Sequence, residues 1–289
     1  MMSVVTSPSK TLNNQSQGMT GAVKLAFANS GGKTHLADLY QTSPLRVLFP
    51  NAAQDDILSA ALVTTSGGLV GGDRLSIEVK LDAYTNVQVI GQAAEKIYRS
   101  NGPDTIFEAD LTVGENAWLE WLPQETIVFD QARLRRKTSV DVATGGTFLG
   151  AEILVFGRTA MGESFDAGLV RDAWDVRQNG KLVWQDALYL SEDIKSILNH
   201  PAGFDRARCA ATSILVCGDA GDYLDFVRAL LSTAPDGVNC AATVTNGILV
   251  TRWMALEAQD LRKCFGEYWA AMRHELKGLP QTMPRLWHM

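Results

Sequence analysis

The segment Thr64–Asp73 has four glycines within six positions and ends in an aspartate. Glycine serves where the backbone needs a positive φ angle or a close approach, so one interpretation is a phosphate-binding loop. Two features argue against it. A P-loop ends in Gly-Lys-Ser/Thr, and a dinucleotide fingerprint opens a helix, whereas this loop ends in Asp73 and leads into an alternating strand pattern, Leu75–Leu81. We favour a structural turn; an aspartate also suits a metal cation.

Six carboxylates fall near strand ends or turns in apolar surroundings: Asp55, Asp56, Asp73, Glu152, Glu163 and Asp175. Carboxylate oxygens are hard ligands, and oxygens spread over many strands suit weak, exchanging contacts with a divalent cation better than a caged metal. The alternative for each residue is a surface charge or a cap.

Other chemistry-bearing residues give no enzyme signature. The four histidines and four cysteines lack the short spacings of a zinc site, and no Gly-x-Ser-x-Gly nucleophile elbow occurs. We expect the cysteines to be reduced, buried and inert. A phosphate-binding transferase that uses the glycine loop remains a rival hypothesis.

Three further clusters each have a functional and a structural interpretation, and we favour the structural one. Glu95 and Lys96 are interpreted as a solvated turn and not as an acid–base pair. Trp118, Trp121 and Phe129 are interpreted as core residues; the alternatives are a protein interface or a ligand groove, as in a β module that binds carbohydrate or peptide. The basic run Arg133–Lys137 is interpreted as an exposed strand face and not as a nucleic-acid patch.

Composition narrows the class of protein. The chain has 289 residues and a net charge of −6, which argues against a general nucleic-acid binder. No apolar run reaches membrane-spanning length, and residues 1–19 are expected to be a polar, disordered tail and not a signal peptide. The expected location is the cytoplasm.

The elements that position these residues are mainly strands. Alternating patterns occur in Val23–Phe27, Thr85–Ile90, Thr105–Val113, Trp118–Leu122 and Thr138–Val142, with turn residues between them. The last third predicts a buried strand over 208–217, helices over 220–233 and 255–277, and a hairpin with an Asn246-Gly247 turn. We expect one domain over 20–289, with a β body over about 20–206 and an α+β segment over about 207–289.

Five segments together resemble the UreD (UreH) family of urease accessory proteins. Ser66–Asp73 resembles the family's glycine-rich block, and Ala93–Ser100 its Lys-x-Tyr-Arg-Ser block. Leu119–Ile127 resembles the Leu-Glu-aromatic-Leu-Pro block, and Phe156–Glu163 the Gly-Arg-x-x-x-Gly-Glu block. Pro284–Trp287 resembles the C-terminal Pro-Arg-hydrophobic-Trp block. The motif residues carried over are Gly67, Gly68, Gly71, Gly72, Tyr98, Pro123, Gly157, Arg158, Glu163, Arg285 and Trp287. One such block is weak evidence, but five in the family's order are specific.

The resemblance implies a fold and a function that the residues alone do not. The implied fold is mainly β, a helix-like stack of strands with two α-helices in the C-terminal segment. The implied protein is not an enzyme: it binds the apo-urease subunits and UreF, reaches the GTPase UreG through UreF, and helps deliver nickel. It holds no tight cofactor. Asp56, Asp73, Glu152 and Asp175 match places where nickel is thought to pass, and we expect Asp73, Glu152 and Asp175 to face the interior.

Overall fold

The computed structural model describes residues 18–51 and 53–288, so the predicted tail, apart from Gly18 and Met19, lies outside the described residues. The strands are β1 (Thr20–Ser30), β2 (Lys33–Gln41), β3 (Leu45–Leu48), β4 (Leu58–Thr64), β5 (Arg74–Leu81), β6 (Asn86–Gly91), β7 (Glu95–Ile97), β8 (Thr105–Val113), β9 (Trp118–Leu122), β10 (Thr126–Val128), β11 (Arg133–Val142), β12 (Thr147–Phe156), β13 (Leu169–Gln178), β14 (Lys181–Ser191), β15 (Cys209–Val216), β16 (Val238–Thr245) and β17 (Ile248–Ala255). The α-helices are α1 (Ile194–Asn199), α2 (Leu224–Leu231) and α3 (Ala258–Lys277).

The strands form two sheets that the chain visits in alternation. The seven-stranded sheet has the order β14-β13-β11-β8-β5-β1-β2, and the ten-stranded sheet follows β16-β17-β15-β12-β9-β6-β4-β3, with β10 joined to β12 and β7. Central neighbours such as β5 and β8, or β6 and β9, are parallel. Because parallel neighbours cannot be joined by a tight turn, the chain crosses to the other sheet between them. This winding gives a solenoid-like stack of about four turns, which confirms the predicted mainly-β stack.

Alternating side chains build the core between the two sheets. In β5, Leu75, Ile77, Val79 and Leu81 are buried while the residues between them are exposed. Each fully buried side chain of this kind contributes about 1.5–3 kcal/mol relative to an exposed one. The inward faces of β9, β11, β12 and β13 add to this core, and the candidate site lies among them.

A second core lies on the other face of the ten-stranded sheet, where α3 packs. Leu261, Phe265 and Trp269 of α3 are fully buried and share this core with Trp253 of β17. The helix ends at Gly278, whose left-handed conformation (φ 67°) caps it. The predicted hairpin is also present, with Asn246 and Gly247 at positive φ between β16 and β17.

The helices differ from the prediction in number and bounds. Helix α1 was not predicted; Asp193 begins it by accepting a hydrogen bond from the Ser196 amide at 3.3 Å. The first turn of the predicted 220–233 helix is a 3-10 turn, so α2 begins at Leu224. Helix α3 begins at Ala258 because β17 continues to Ala255. Among residues 18–51 and 53–288, no helix is both long and apolar enough to cross a membrane.

Candidate functional site

A cavity of about 260 Å³ enters the stack between the two sheets. Its walls come from the loop after β4, from β7 with the residues before it, from the β9–β10 connection, and from the inner faces of β11 and β12; the polar lining residues are Thr64, Gln92, Glu95, Lys96, Gln124, Thr126, Arg136 and Glu152. Ala93 and Lys96 are exposed, whereas Arg136 and Glu152 are each 3% exposed. The cavity therefore joins the surface to a charged, buried inner end.

Three of the five family-like segments form this cavity. Gly67 and Gly68 belong to the glycine-rich block, Glu95 to the Lys-x-Tyr-Arg-Ser segment, and Trp121 and Pro123 to the Leu-Pro block. Residues far apart in sequence thus surround one space.

Glu152 marks the inner end of the cavity. Its Oε1 atom accepts hydrogen bonds from Trp121 Nε1 at 3.1 Å and Thr138 Oγ1 at 3.2 Å. Its Oε2 atom forms an ion pair with Arg136, at 2.6 Å from Nη1. Burial raises the pKa of Glu152, and the Arg136 charge opposes that shift.

Arg136 is held by oxygen atoms on several sides. Its Nε and Nη2 atoms each lie 2.8 Å from the Asp172 carboxylate, and Nη1 donates to Thr126 Oγ1 at 2.9 Å. Burial disfavours the charged guanidinium, but the carboxylates of Asp172 and Glu152 raise the pKa of Arg136 above its usual range. The interpretation of Arg133–Lys137 as an exposed face is therefore wrong for Arg136, although Lys137 is exposed.

Glu95 lies nearer the surface in the same cavity. It begins β7, so the predicted solvated turn is wrong. Its carboxylate accepts a hydrogen bond from Thr64 Oγ1 at 2.5 Å. Burial raises the pKa of Glu95, and the Thr64 hydrogen bond opposes the shift.

Asp73 has the structural role that the sequence left open. Its Oδ1 accepts from the Met19 amide at 2.7 Å, and its Oδ2 accepts from the Val70 amide at 2.8 Å. The residue is 1% exposed. Both oxygens are therefore engaged in closing the glycine-rich turn and in attaching the start of β1.

Asp175 does not face the interior, contrary to our expectation. It alternates with Trp174 and Val176, which point into the core, and so it lies on the outer face of the seven-stranded sheet. Lys137 Nζ lies 2.8 Å from its carboxylate, and Gln185 Nε2 donates to it at 2.7 Å. Burial would raise the pKa of Asp175, but these partners hold it below its usual range.

Asp56 belongs to a separate charged cluster beneath α3. Its Oδ1 atom lies 2.6 Å from Nη2 of Arg273, a fully buried arginine of α3. The same guanidinium contacts Glu120 at 3.1 Å, and Gln88 donates to Glu120 at 2.5 Å. Burial raises the pKa of Glu120, and Arg273 opposes that shift. Asp56, Asp73, Glu152 and Asp175 thus occupy four separate environments, and only Glu152 lines the cavity.

The glycine-rich turn requires its glycines for two reasons. Gly72 has φ 98°, a conformation that side chains with a Cβ rarely adopt. Gly71 does not have a positive φ; a Cβ there would lie 2.1 Å from Ser100 Oγ and 2.5 Å from the Pro103 carbonyl oxygen. The turn also meets Tyr98, whose hydroxyl donates to the Gly67 carbonyl at 3.1 Å.

The Gly-Arg-x-x-x-Gly-Glu segment forms a surface cluster beside Phe129. The Arg158 guanidinium lies 4.6 Å from the centre of the Phe129 ring and pairs with Glu163. Glu163 also accepts from the Asp130 amide at 2.8 Å. Gly157 has φ 90° and lies against the backbone of Glu163. These contacts attach the segment to the residues that follow β10.

The C-terminal block is docked on α3. Trp287 is buried, and the Arg262 guanidinium lies 4.2 Å from its ring centre, while Arg285 is exposed. Arg262 also donates to Gln124 at 2.7 Å, and Gln124 donates to the Leu286 carbonyl at 3.1 Å. Since Gln124 lines the cavity, the C-terminal block supports the cavity wall from behind.

The predicted core tryptophans and cysteines are largely as expected. Trp118, Trp121 and Phe129 are buried. All four cysteines are free; Cys209 and Cys264 are buried, and the other two are partly exposed. Burial raises the pKa of Cys209 to about 12. In the part of the chain that the structure describes, no group of three or more histidine, cysteine, aspartate or glutamate side chains is arranged to hold a metal ion.

Sequence reasoning missed Arg136 and Asp172, the cation that pairs with Glu152 and the second carboxylate that pairs with that cation. Both carry a usable signal. Arg136 is in phase with the core residues Leu134 and Val140, and Asp172 with Val170 and Trp174. A charged residue on the apolar phase of a strand indicates a buried ion pair, because an unpaired charge there is costly.

Comparisons with known proteins agree with the five segments. A family model described as UreD urease accessory protein matches residues 19–288. The chain is 43% identical over 290 residues to the urease accessory protein UreD of Magnetococcus marinus, with 99% of each chain covered. It is 37% identical over 271 residues to the UreD of Azorhizobium caulinodans, with 94% of this chain and 97% of the relative covered. It is 39% identical over 263 residues to the UreD of a Methylobacterium species, with 89% and 90% covered. The chain therefore belongs to the UreD family of urease accessory proteins.

Proposed function

We propose that this protein is a urease maturation factor, a non-enzymatic cytoplasmic scaffold that binds the apo-urease subunits and UreF, reaches UreG through UreF, and helps deliver nickel. The observation that carries the proposal is similarity to urease accessory proteins over 99% of the chain. Three of the five family-like segments also form the cavity, and Gln124 of one of them donates to Leu286 of the C-terminal block.

Nickel is the cargo in this proposal, and the cavity is its path. Glu95 near the surface and Glu152 at the inner end supply carboxylate oxygens. Oxygen ligands suit nickel less well than imidazole does, so the contacts are weak and the ion leaves readily. The proposed path includes fewer residues than the sequence suggested, because Asp73 and Asp175 have structural partners elsewhere.

A second surface offers a place for UreF. Helix α3 and the C-terminal block border an open groove of about 920 Å³ that presents Asp260, Lys263 and Glu267 beside Met283 and Trp287. It lies on the helical side of the ten-stranded sheet, away from the seven-stranded sheet. We assign UreF to this groove and urease to the β body, since a scaffold needs two separate faces.

Co-expression with tagged urease subunits and UreF tests the proposal. The wild type is expected to be recovered with both partners, and the urease formed at limiting nickel is expected to contain nickel and to be active. Glu152→Gln keeps the shape and removes the charge, so it should retain both partners but yield urease with less nickel. Asp175→Asn is the matched control, because it removes a carboxylate outside the cavity.

Two results would contradict the proposal. Failure of the wild type to bind urease or UreF would remove the scaffold role. Full nickel content with Glu152→Gln would remove Glu152 from the path while leaving the scaffold role intact.

A further inference from the structure

Five residues form a line across the outer face of the seven-stranded sheet, which we call the arginine row. It consists of Arg74 (β5), Ile106 (β8), Arg135 (β11), Arg171 (β13) and Tyr189 (β14), each paired in register with the next. Residues paired in register point to the same face of a sheet. A neighbour of each along its strand packs in or against the core between the sheets, so the row points outward. Because it is assembled from five strands, no single segment of the sequence shows it.

The arginine row is positively charged, although the whole chain carries a net charge of −6. Arg135 shares Asp104 with Arg133, which lies two residues earlier in β11. Their Nε atoms lie 2.5 and 2.6 Å from the two carboxylate oxygens of Asp104. Among residues 18–51 and 53–288, Arg74 and Arg171 take part in no ion pair. Four arginines and one aspartate therefore give this end of the sheet a charge of +3.

The positive charge is confined to this end of the sheet. In the next outward row, Lys137 is paired in register with Glu108, so the two charges offset each other. The row after that contains the acidic residues Glu78, Asp110 and Asp175. A negatively charged molecule is therefore attracted to the arginine row itself and repelled farther along the same face.

The residue types in the row suit a protein partner. Arginine and tyrosine are enriched at the centres of protein interfaces, and the side chain of Tyr189 is 54% exposed. Ile106 adds apolar surface in the middle of the row and is partly exposed. A nucleic acid is a poorer fit, because the chain as a whole is acidic and Asp104 lies within the patch. The chemistry therefore favours an acidic protein surface.

We infer that the arginine row is the surface on which an acidic face of apo-urease docks. The inference rests on the proposed function, which supplies this partner and assigns UreF to the groove beside α3, on the helical side of the other sheet. The glycine-rich turn Ser66–Asp73 leads directly into Arg74 and contributes Gly67 and Gly68 to the cavity. A protein docked on the row thus lies beside the turn that borders the cavity, as transfer of an ion from the cavity requires.

Binding of the full chain, purified with UreF, to immobilised apo-urease tests the inference. Arg74→Glu with Arg171→Glu reverses two charges that pair with no carboxylate in the part of the chain that the structure describes. This variant should bind apo-urease at least about tenfold more weakly than the wild type and should keep UreF. Arg74→Lys with Arg171→Lys keeps the charge and should retain most of the affinity.

The matched control reverses two charges at the opposite end of the same two strands. Lys80 and Arg177 also point outward, and each lies six residues after its counterpart in the row, which is about 20 Å along a strand. Lys80→Glu with Arg177→Glu should leave the affinity for apo-urease close to that of the wild type. Salt gives a second readout, because exposed charges are screened. Raising NaCl from about 50 to 500 mM should weaken binding of the wild type more than binding of the Arg74→Glu, Arg171→Glu variant.

Equal binding of apo-urease by the wild type and the Arg74→Glu, Arg171→Glu variant would overturn the inference and leave the proposed function intact. Failure of the wild type to bind apo-urease would overturn both. If the variant loses UreF, Tyr189→Ala replaces it; wild-type affinity in Tyr189→Ala together with wild-type binding that salt does not weaken would overturn the inference.

Two other occupants of the row give results of their own. Single-stranded RNA would be retained by the wild type and lost by the Arg74→Glu, Arg171→Glu variant while apo-urease binding stayed equal. A second copy of the chain would appear as a dimer in sedimentation of the wild type and be absent from the variant, again with equal apo-urease binding. Either result would overturn the assignment of the row to urease.

Discussion

At the residue scale, two buried arginines form ion pairs that connect the two sheets and helix α3. Arg136 links the two sheets, since Asp172 lies in the seven-stranded sheet and Glu152 in the ten-stranded sheet. Arg273 links α3 to Glu120 on the other face of the ten-stranded sheet. Removing the arginine of either cluster leaves buried carboxylates uncompensated, which costs about 3–5 kcal/mol. These residues therefore constrain how the layers meet.

The pKa of Glu95 predicts a pH-dependent gain in stability. Burial raises this pKa in the folded state, so ionised Glu95 destabilises the fold. Glu95→Gln removes that penalty and can still accept the hydrogen bond from Thr64. The variant should melt at a higher temperature than the wild type above the folded-state pKa. The gain in melting temperature should disappear as the pH falls from the folded-state pKa of Glu95 to its pKa in the unfolded chain.

Thermal melts from about pH 4 to 8 check this prediction, because carboxyl groups with raised pKa values titrate in about that range. Asp175→Asn is the contrasting control, because the pKa of Asp175 is lowered and its ionised form stabilises the fold. That variant should be less stable than the wild type at neutral pH. A Glu95→Gln gain that is the same at every pH would refute the assignment to charge burial.

Valine substitutions at two glycines of the glycine-rich turn should each destabilise the fold, for different reasons. Gly72→Val forces a β-branched residue to φ 98°, and Gly71→Val drives a side chain into Ser100 and the Pro103 carbonyl. Each should cost on the order of 1–3 kcal/mol and reduce the soluble yield. Gly218→Val is a suitable control, since no atom lies within 4 Å of its added Cβ. Normal yield and melting of both loop variants would show that the turn does not require these glycines.

At the element scale, local periodicity located the strands that alternate and gave no information on their pairing, and it missed β12, whose residues are buried at nearly every position. The predicted strands Thr105–Val113 and Trp118–Leu122 have the bounds of β8 and β9. The same period-2 pattern places Arg136 inward, yet it does not say that Asp172 and Glu152 come from different sheets. That pairing depends on a winding in which each turn crosses between sheets, a property of the stacked chain and not of any segment.

Helix α3 owes part of its attachment to one side chain. Arg262 pairs with Glu125, donates to Gln124 and the Trp287 carbonyl, and stacks on the Trp287 ring. Arg262→Ala should lower the free energy of unfolding by about 1–3 kcal/mol, because charge-assisted and cation–π contacts are lost together. Lys263 is the exposed neighbour of Arg262, and Lys263→Ala should change the free energy of unfolding by less than about 0.5 kcal/mol.

Chemical denaturation of both variants measures the difference. Limited proteolysis adds a local readout, since the C-terminal block in Arg262→Ala should be cleaved faster than in the wild type. Equal denaturation midpoints for Arg262→Ala and Lys263→Ala would show that the Arg262 contacts contribute little.

At the scale of the whole molecule, the C-terminal segment continues the β body. Strand β15 pairs with β12, and β17 pairs with β15, so the predicted α+β segment extends the ten-stranded sheet. Cutting the chain after residue 206 would expose the edge of β12 and the core beneath α3. Assignment of UreF to this region is therefore better tested by surface substitutions in the groove than by truncation.

Filling the cavity should reduce the amount of nickel that reaches urease in the complex with urease and UreF. Ala94 lines it and is partly exposed, so Ala94→Leu adds volume to the path without changing charge. If nickel passes through the cavity, the variant should still be recovered with urease and UreF while the urease contains less nickel. Ala37→Leu, on the exposed side of the edge strand β2, is the matched control for added apolar volume. Raising the nickel concentration should restore activity in the Ala94→Leu complex, because a narrowed path slows transfer and leaves the urease site intact. Normal nickel content with Ala94→Leu at limiting nickel would place the path elsewhere, and loss of partner binding would show that the substitution disturbs the scaffold itself.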